Sequence, residues 1–504
     1  MSAKTQGEHE EHGHAFRAGH ITVCYPSGQA NEYTLGCLIP AIEQELPGWT
    51  IDSSISHLGP ASRPGSVQWS DYDQINWAAL KSFPQETLFN AYPIRKALIR
   101  KNYLIKAVEA YAVKKKPTSV DEAGWHAITI PKSYPFTLSF SDELDELWAD
   151  ELYELAEELN TNVPLEGKHP KKVWILKPAL ADKAQGIRLF RSREELYDIF
   201  TEFERLEELL EEQSQEINDQ QQDDQGANDE QRQTWVSVSQ MRDWIIQEYV
   251  SNPLLIDPAK PETYSTDKSI DRSSFHKHHL RVYVLAVGAL SVYVFEDILS
   301  LFSSKMYTLD DLSDLGVHLT NTCLQESLSG GGGGGSTGEK PQVTVSIGSH
   351  PVQVLDQIDS ILANLFSFVA QNDPINFQLN PNCFEIFGID FLVDHNLKVW
   401  LLEVNSGPDF SQTGDDLKPT IKRLFKSTIA VLKSEVPLLR RPSPTEAQFL
   451  SKSEPLIPSP PRVAPSNSKT SDSSTADLPP RLRYPQELLP FRKVLELQTS
   501  ISFC

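Results

Sequence analysis

The chain has 504 residues, which is enough for two or three domains with a substantial core. Its 69 acidic residues outnumber 46 Lys and Arg, and the formal net charge of −23 argues against nucleic acid or an anionic membrane as a general partner. Five scattered cysteines without a CxxC pair, and no apolar run of the ~18 residues that a membrane span needs, predict a soluble protein in the reducing cytoplasm.

The first part of the chain predicts a mixed N-terminal domain. Residues 1–20 are polar and lack the apolar core of a secretory signal, so we expect a disordered arm. An α/β domain is predicted over 21–165, beginning with the strand-like ITVCYP at 21–26 and continuing with a basic helical stretch at 91–116. In DELDELWADELYELAEEL (142–159) the leucines recur at helical spacing, which predicts an amphipathic helix with a solvated acidic face.

Strand-like segments dominate from residue 172 to residue 434. They are VWILKP (173–178), WIIQEYV (244–250) and LRVYVLAVGALSVYVF (280–295), the last broken at Gly288 into an antiparallel pair. Helical patterns at 355–371 and 416–434 accompany them. Helices beside antiparallel strands indicate an α+β fold and not a doubly wound sheet.

Three segments lack this pattern of strands and helices. Residues 209–233 are rich in Glu, Gln and Asp and predict a helix end that runs into a disordered insertion. Residues 327–345 contain six consecutive glycines and predict a flexible loop. Residues 440–504 form a Pro- and Ser-rich tail of low complexity, a kind of segment that often binds partners.

One hydrophobic hairpin, FGIDFLVDHNLKVWLLEVNSGP (387–408), carries unexpected polar residues. Successive side chains of a strand point to opposite faces. With an even-numbered loop, one face is wholly apolar and collects Ile389, Phe391, Val393, Trp400, Leu402 and Val404. Asp390, Glu403 and Asn405 then share the other face, and such an oxygen-rich group suits Mg²⁺. The alternative is a pair of edge carboxylates that face solvent.

Two further segments offer groups for phosphate. Lys177 stands at the end of a buried strand, where its ammonium can reach phosphate oxygens. ADKAQGIRLF (181–190) places Lys183 and Gly186 in a polar loop before another strand. Backbone amides of such a loop could cover a triphosphate, although an ordinary hairpin turn explains the segment equally well.

Three other strand ends carry polar groups. Gln247 and Glu248 precede a proline-broken turn, where backbone groups could bind an adenine edge, or where a strand simply ends. Lys277 and Arg281 open a strand, and a fixed guanidinium binds a carboxylate or a phosphoryl group bidentately. Asn321 in HLTNTCLQ suits phosphate or metal-bound water, or caps a helix.

The order of these motifs along the chain resembles that of the tubulin–tyrosine ligase family of the ATP-grasp superfamily. The matching motifs are Lys177-Pro178, Gly186-Ile187, QEYV followed by Pro253-Leu254-Leu255, Lys277 with Arg281, HLTN, and GIDFLVD…KVWLLEVNSGP. The resemblance covers roughly 172–434 and extends more loosely into 85–116. HLTN together with EVNSGP is its most specific part, whereas Lys177 and the acidic pair are shared with ATP-grasp enzymes at large.

The resemblance implies an ATP- and Mg²⁺-dependent ligase whose two antiparallel sheets clasp ATP. Such an enzyme forms an acyl phosphate on a protein carboxylate, here tubulin, and joins a free amino acid to it. The residues carried over are Lys177, Lys183, Gly186 and Ile187 for the phosphates, Gln247, Glu248, Tyr249 and Val250 for adenine, Lys277 and Asn321 for the nucleotide, Asp390, Glu403 and Asn405 for Mg²⁺, and Arg281 with Lys177 for catalysis.

The sequence also departs from the family pattern, as a divergent, fungal-type member would. The family's FDIR strand reads His278-His279-Leu280-Arg281, and ILSLFSSKMY (298–307) lacks the arginine that many members place there. Two alternatives therefore stay open. One is a catalytically weak or inactive nucleotide-binding module that acts as a protein-interaction scaffold, and the other is a small-molecule ATP-grasp ligase, against which HLTN argues.

Overall fold

A small parallel sheet and four helices form the N-terminal part of the protein. The computed structural model describes residues 19–52, 66–82, 86–114, 127–162, 172–180, 184–219, 241–258, 274–320, 351–439 and 490–497. The strands are β1 (His20–Thr22), β2 (Thr50–Asp52), β3 (Ser66–Gln68) and β4 (Thr87–Phe89), in the order β2-β1-β3-β4. The helices are α1 (Gln29–Glu45), α2 (Trp77–Ser82), α3 (Lys96–Ile99) and α4 (Lys101–Lys114). The strand predicted near residue 21 and the basic helical stretch are thus confirmed.

A four-stranded antiparallel sheet, hereafter the small sheet, follows in the chain. Its strands are β5 (Ser133–Thr137), β6 (Trp174–Pro178), β7 (Arg188–Phe190) and β8 (Asp243–Glu248), in the order β5-β8-β6-β7. The helices that pack on it are α5 (Leu144–Leu147), α6 (Tyr153–Thr161) and α7 (Arg193–Asp219). Because β5 pairs with β8, the sheet crosses the predicted boundary between 21–165 and 172–434, so that boundary is wrong.

The predicted helix over 142–159 is two helices in the structure. A turn separates α5 from α6, and the Leu152 amide donates to the Leu147 carbonyl at 2.9 Å. Trp148, Leu152 and Leu155 nevertheless enter one core, as their helical spacing predicts. α7 extends to Asp219, in agreement with the helix end predicted for 209–233. The rest of that insertion and all of 327–345 lie outside the described residues.

The large sheet is antiparallel and has seven strands. They are β9 (Leu255–Ile256), β10 (His276–Val287), β11 (Ser291–Phe295), β12 (Leu299–Met306), β13 (Phe384–Val393), β14 (Val399–Ser406) and β15 (Phe491–Glu496). The central order is β14-β13-β10-β11-β15, and both β9 and β12 also pair with β10. β10 and β11 meet at Gly288, whose φ of +62° suits a residue without a Cβ, as predicted for this hairpin.

Helices cover both faces of the large sheet. They are α8 (Leu315–His318), α9 (Val352–Asn372) and α10 (Lys418–Glu435), and the predicted helices at 355–371 and 416–434 are confirmed. Val282 and Val284 of β10 share a core with α9, whereas Tyr283 and Leu285 face α10 and α1. The N-terminal elements therefore share the cores of the large sheet, and β4 touches it through the Phe89–Cys383 bridge.

The C-terminal segment contains a strand that was not predicted. Residues 440–504 were expected to be low-complexity tail throughout, yet Phe491–Glu496 forms β15 and pairs antiparallel with β11. The prediction is wrong there because the segment gains its order from the edge of a sheet that is distant in sequence. Among the described helices, none combines the length and the apolar run that a bilayer crossing requires.

Candidate active site

A cavity of about 350 Å³ lies between the small sheet and the large sheet, and we call it the cleft. Predicted site residues that line it are Lys177, Ile187, Gln247, Glu248, Tyr249, Val250, Lys277, Arg281, Asp390, Glu403 and Asn405. Gly186 lies in the turn beside it, between the lining residues Gln185 and Ile187. Lys183 and Asn321 lie outside the described residues. The structure thus brings distant motifs together, while the role of each residue stays a prediction.

The polar face of the β13–β14 hairpin is formed as predicted near the cleft. Asp390 lies directly opposite Glu403 in the antiparallel ladder, and Ile389 lies opposite Val404 on the buried face. Asn405 stands opposite Gly388, two residues along the same face. Two carboxylates and one carboxamide therefore converge on the cleft.

The other end of this hairpin does not follow the prediction. The register shifts between Asp390 and Phe391, so that Phe391 pairs with Leu401 and not with Leu402. Beyond this β-bulge Leu401 is fully buried, whereas Trp400 and Leu402 are only half-buried and Leu402 lines the cleft. The predicted apolar face is therefore wrong at those two positions, because one extra residue reverses which face each later side chain occupies.

The acidic cluster is held together by its own contacts. In the assigned amide orientation, Asn405 Nδ2 lies 3.4 Å from Asp390 Oδ2 and 3.3 Å from Glu403 Oε1. Lys101 Nζ, at the start of α4, lies 3.4 Å from Glu403 Oε2. Within the described ranges no group of three or more His, Cys, Asp or Glu side chains could hold a metal. This oxygen-rich trio instead fits Mg²⁺, which takes few protein carboxylates and completes its shell with phosphate oxygens and water.

Arg281 binds one member of this cluster through two bonds. Its Nε donates to Asp390 Oδ1 at 2.5 Å and its Nη2 donates to Oδ2 at 3.0 Å. Burial alone raises the pKa of Asp390, but the Arg281 guanidinium more than offsets this and holds that pKa well below its ordinary value. His279 Nε2 lies 3.6 Å from the same carboxylate. A Cβ at Gly388 would come within 3.2 Å of Arg281 Cδ, so glycine leaves room for the guanidinium.

On the small sheet, Lys177 has a neutral partner. Its Nζ donates to Gln247 Oε1 at 2.8 Å, and Gln247 Nε2 donates to the Ser133 hydroxyl at 2.9 Å. Burial lowers the pKa of Lys177 to about 8, opposed in part by Glu403 across the cleft. The charged form of Lys177 is therefore disfavoured in the free protein, and an anionic ligand would stabilise it.

Lys277 belongs to a buried polar network at the back of the cleft. Its Nζ donates to the Tyr249 hydroxyl at 3.0 Å and to the His318 carbonyl at 2.8 Å. The His318 ring bridges Tyr249 OH, 3.2 Å from Nδ1, and the Asp311 carbonyl, 2.8 Å from Nε2. Burial, with a smaller contribution from the Lys177 charge, lowers the pKa of Lys277 to about 7.

The predicted covering loop is a tight turn. Gly186 has a φ of +67° and Ala184 a φ of +63°, and the Ile187 amide donates to the Ala184 carbonyl at 3.4 Å. Two left-handed residues in one turn explain why a glycine stands there. Glu248 ends β8 at the mouth of the cleft, where its Oε2 lies 3.8 Å from Lys172 Nζ.

Sequence reasoning missed several polar residues of the cleft, among them Lys101 and Thr320. Lys101 lies in the basic stretch 91–116, where the sequence did not distinguish it from the other Lys and Arg residues as a site residue. Thr320 lines the cleft, and its hydroxyl lies 2.5 Å from His279 Nδ1. Its signal was present in HLTN, where only the asparagine was singled out.

Comparisons with known proteins identify the family of this chain. The sequence model of the tubulin–tyrosine ligase family matches residues 81–444. The chain is 36% identical over 410 residues to a Saccharomyces cerevisiae protein named probable tubulin–tyrosine ligase PBY1, covering 79% of this chain and 50% of that protein. A Schizosaccharomyces pombe protein, probable tubulin–tyrosine ligase C12B10.04, is 35% identical over 375 residues, covering 73% and 83%. The chain thus spans about half the length of the first relative and most of the second.

A solved structure has a similar fold. It is the C-terminal domain of K. lactis Pby1, described as an ATP-grasp enzyme interacting with the mRNA decapping enzyme Dcp2. The two structures superpose with a TM-score of 0.54 at 26% sequence identity, covering 95% of this chain and 100% of that one. The predicted α+β fold and family resemblance are thereby confirmed. The chain belongs to the tubulin–tyrosine ligase family and has the ATP-grasp fold.

Proposed function

We propose that this chain is an ATP- and Mg²⁺-dependent carboxylate–amine ligase that activates a protein carboxylate, with tubulin as the acceptor and a free amino acid as the amine. One observation carries the proposal: a single cleft joins cations from both sheets and from α4 to an oxygen-rich cluster. The cations are Lys101, Lys177, Lys277 and Arg281, and the cluster is Asp390, Glu403 and Asn405. Names of the fungal relatives motivate tubulin as the acceptor.

Different residues of the cleft would bind different groups of the nucleotide and its metal ion. Lys177 of the small sheet and Lys277 of the large sheet would bind phosphate oxygens, since both face the cleft and have depressed pKa values that an anion would reverse. Asp390, Glu403 and Asn405 would hold Mg²⁺, which offsets charge on a transferring phosphoryl group. Arg281 stands beside that cluster, where a guanidinium stabilises charge that develops on transfer.

The test uses the full chain with ATP, Mg²⁺, detyrosinated tubulin and each labelled amino acid in turn. Wild type should release ADP in step with amino-acid incorporation into tubulin. Glu403→Gln should lower this turnover by roughly 100- to 1,000-fold, because a charge that faces the phosphates is lost. Asp409→Asn is the matched control, since Asp409 lines the same cleft outside the acidic cluster. A protein that binds ATP–Mg²⁺ and ligates nothing to any tubulin form would overturn the proposal.

A second function has support from one specific contact. Both carboxylate oxygens of Asp390 are bound by Arg281, and His279 stands where the family pattern has an aspartate. A nucleotide-binding scaffold without turnover accounts for this arrangement. ATP binding without ADP release under any condition would favour the scaffold. ADP release with amino acids alone, without labelled protein, would favour a small-molecule ligase.

A further inference from the structure

The C-terminal strand β15 pairs with β11 at the edge of the large sheet, in the way that a separate peptide adds a strand to a sheet edge. β15 pairs with β11 from Phe295 opposite Phe491 to Ser291 opposite Glu496. Main-chain bonds continue beyond both ends, since the Glu296 amide donates to the Pro490 carbonyl at 2.8 Å and the Leu497 amide donates to the Leu290 carbonyl at 3.0 Å. Strand addition of this kind supplies affinity through the backbone and specificity through alternate side chains.

On the α9 side, the specificity comes from one arginine. Arg492 Nε donates to Asp359 Oδ2 at 2.7 Å, and its Nη2 donates to Oδ1 at 2.6 Å. Both side chains are largely buried, with exposed fractions of 18% and 20%. A fork-to-fork pair of this geometry selects arginine over lysine.

On the α10 side, the groove accepts an aromatic ring and a second base. Phe491 is buried, and its ring centre lies 5.3 Å from that of Phe295. Lys493 Nζ lies 3.3 Å from Glu435 Oε1 and 5.2 Å from the centre of the Tyr293 ring. The receptor surface is therefore acidic on both sides of an apolar edge, and the docked segment is basic at the matching positions.

A long connection joins the docked segment to the preceding described residues. The segment is separated from Leu439 by residues 440–489, and closing a long connection adds only slowly to the entropy cost. Leu438 and Leu497 line one cavity of about 520 Å³, so the C-terminal end of the docked segment lies close to the residues that follow α10. The contacts named above between β15 and the groove are made by residues 490–497.

We propose that β11, with Asp359 of α9 and Glu435 of α10, forms a peptide-binding groove distinct from the cleft. Its ligand class is an extended segment with the pattern aromatic–Arg–Lys–any–Leu, and residues 490–497 are its resident and exchangeable occupant. The groove does not depend on the proposed ligase activity, because none of these residues lines the cleft.

The test keeps the full chain and makes the occupant separable. A site for a specific protease is placed between Ser468 and Lys469, and binding of a fluorescent peptide of residues 488–499 is followed by anisotropy before and after cleavage. Uncut protein should bind the peptide weakly, because the tethered segment competes at an effective concentration of order millimolar. Cut protein should exchange its fragment for the peptide and bind it saturably.

Charge reversal gives the matched controls. A peptide with Arg492→Glu should bind cut wild-type protein about 10- to 100-fold more weakly, and Asp359→Arg protein should recover that loss. The peptide variant needs no change in the protein, so the test does not depend on whether Asp359→Arg folds. Failure of the labelled peptide to exchange into cut protein, or equal binding of both peptides, would overturn the proposal.

Discussion

Two cations of the cleft, Arg281 on the large sheet and Lys177 on the small sheet, are neutralised in different ways. On the large sheet, Arg281 is neutralised within the protein by two bonds to Asp390. On the small sheet, the hydrogen-bond partner of Lys177 among the described residues is the uncharged Gln247, and its pKa falls to about 8. A buried cation with its own carboxylate stabilises the fold only while both are present, whereas a buried cation with a neutral partner favours an incoming anion. Arg281 with Asp390 is therefore an electrostatically complete pair, whereas Lys177 on the small sheet and Lys277 on the large sheet are each bound by neutral groups.

The largest expected effect comes from removing Arg281 from its ion pair with Asp390. Arg281→Ala leaves the buried Asp390 carboxylate without its counter-ion, and we expect the free energy of unfolding to fall by about 3–5 kcal/mol. Urea unfolding followed by circular dichroism measures the change. Arg281→Met combined with Asp390→Asn removes both charges and should recover part of the loss. A loss below about 1 kcal/mol for Arg281→Ala would show that solvent reaches the pair and screens it.

The two lysines with neutral partners, Lys177 and Lys277, should give nucleotide binding a pH dependence. The pKa of Lys277 is about 7 and that of Lys177 about 8 in the free protein, and bound phosphate raises both because it prefers the ammonium form. ATP affinity should therefore be greatest below these values and decline as the pH rises through 7 and 8, by at most about tenfold per pH unit for each lysine. Titration calorimetry at constant ionic strength measures this decline.

Removing one of the two lysines provides the control for that experiment. Lys277→Met should bind ATP more weakly at low pH and show a shallower decline, because one of the two titrating groups is gone. Affinity that is flat from pH 7 to pH 9 in wild type would contradict the assignment of these lysines to phosphate.

The smallest effect is expected where the small sheet does neutralise charge, at its surface. Glu158 accepts from Lys132 at 2.7 Å and from Lys172 at 2.6 Å. Burial alone raises the pKa of Glu158, but the two lysines, with Lys132 the larger influence, lower it from 4.5 to about 2. The stabilisation is thus complete above pH 4.5 and is lost as the pH falls towards 2. Glu158→Gln should cost about 0.5–1 kcal/mol at pH 7, because exposed pairs are weak.

The pH dependence of that small difference is its own check. Unfolding of wild type and Glu158→Gln should converge as the pH is lowered from 5 to 3, since the unfolded carboxylate takes up protons first. A difference that stays constant over this range would mean that the glutamine disturbs packing and that charge has no part in it.

Much of the cleft was predictable because its groups occur in short motifs. The alternation around Asp390, Glu403 and Asn405 predicted one polar face, and the ladder places Asp390 opposite Glu403. The same alternation predicted the wrong face for Trp400 and Leu402, because the β-bulge that shifts the register there cannot be recognised from the alternation of residue types. Lys101 could not be chosen from its basic stretch, because only its 3.4 Å approach to Glu403 distinguishes it from its neighbours.

By itself, the sequence determined the type of most elements, the family and the chemical groups available to the cleft, because those follow from local periodicity and from motif order. Tertiary structure decided which sheet each strand joined, and it placed β5 beside β8 across the predicted boundary and β15 beside β11 at the far end of the chain. It also decided that Arg281 has a carboxylate and that Lys177 does not. The physical reason is that pairing and burial join residues far apart in sequence, and no local pattern encodes which distant edge or charge a segment will meet.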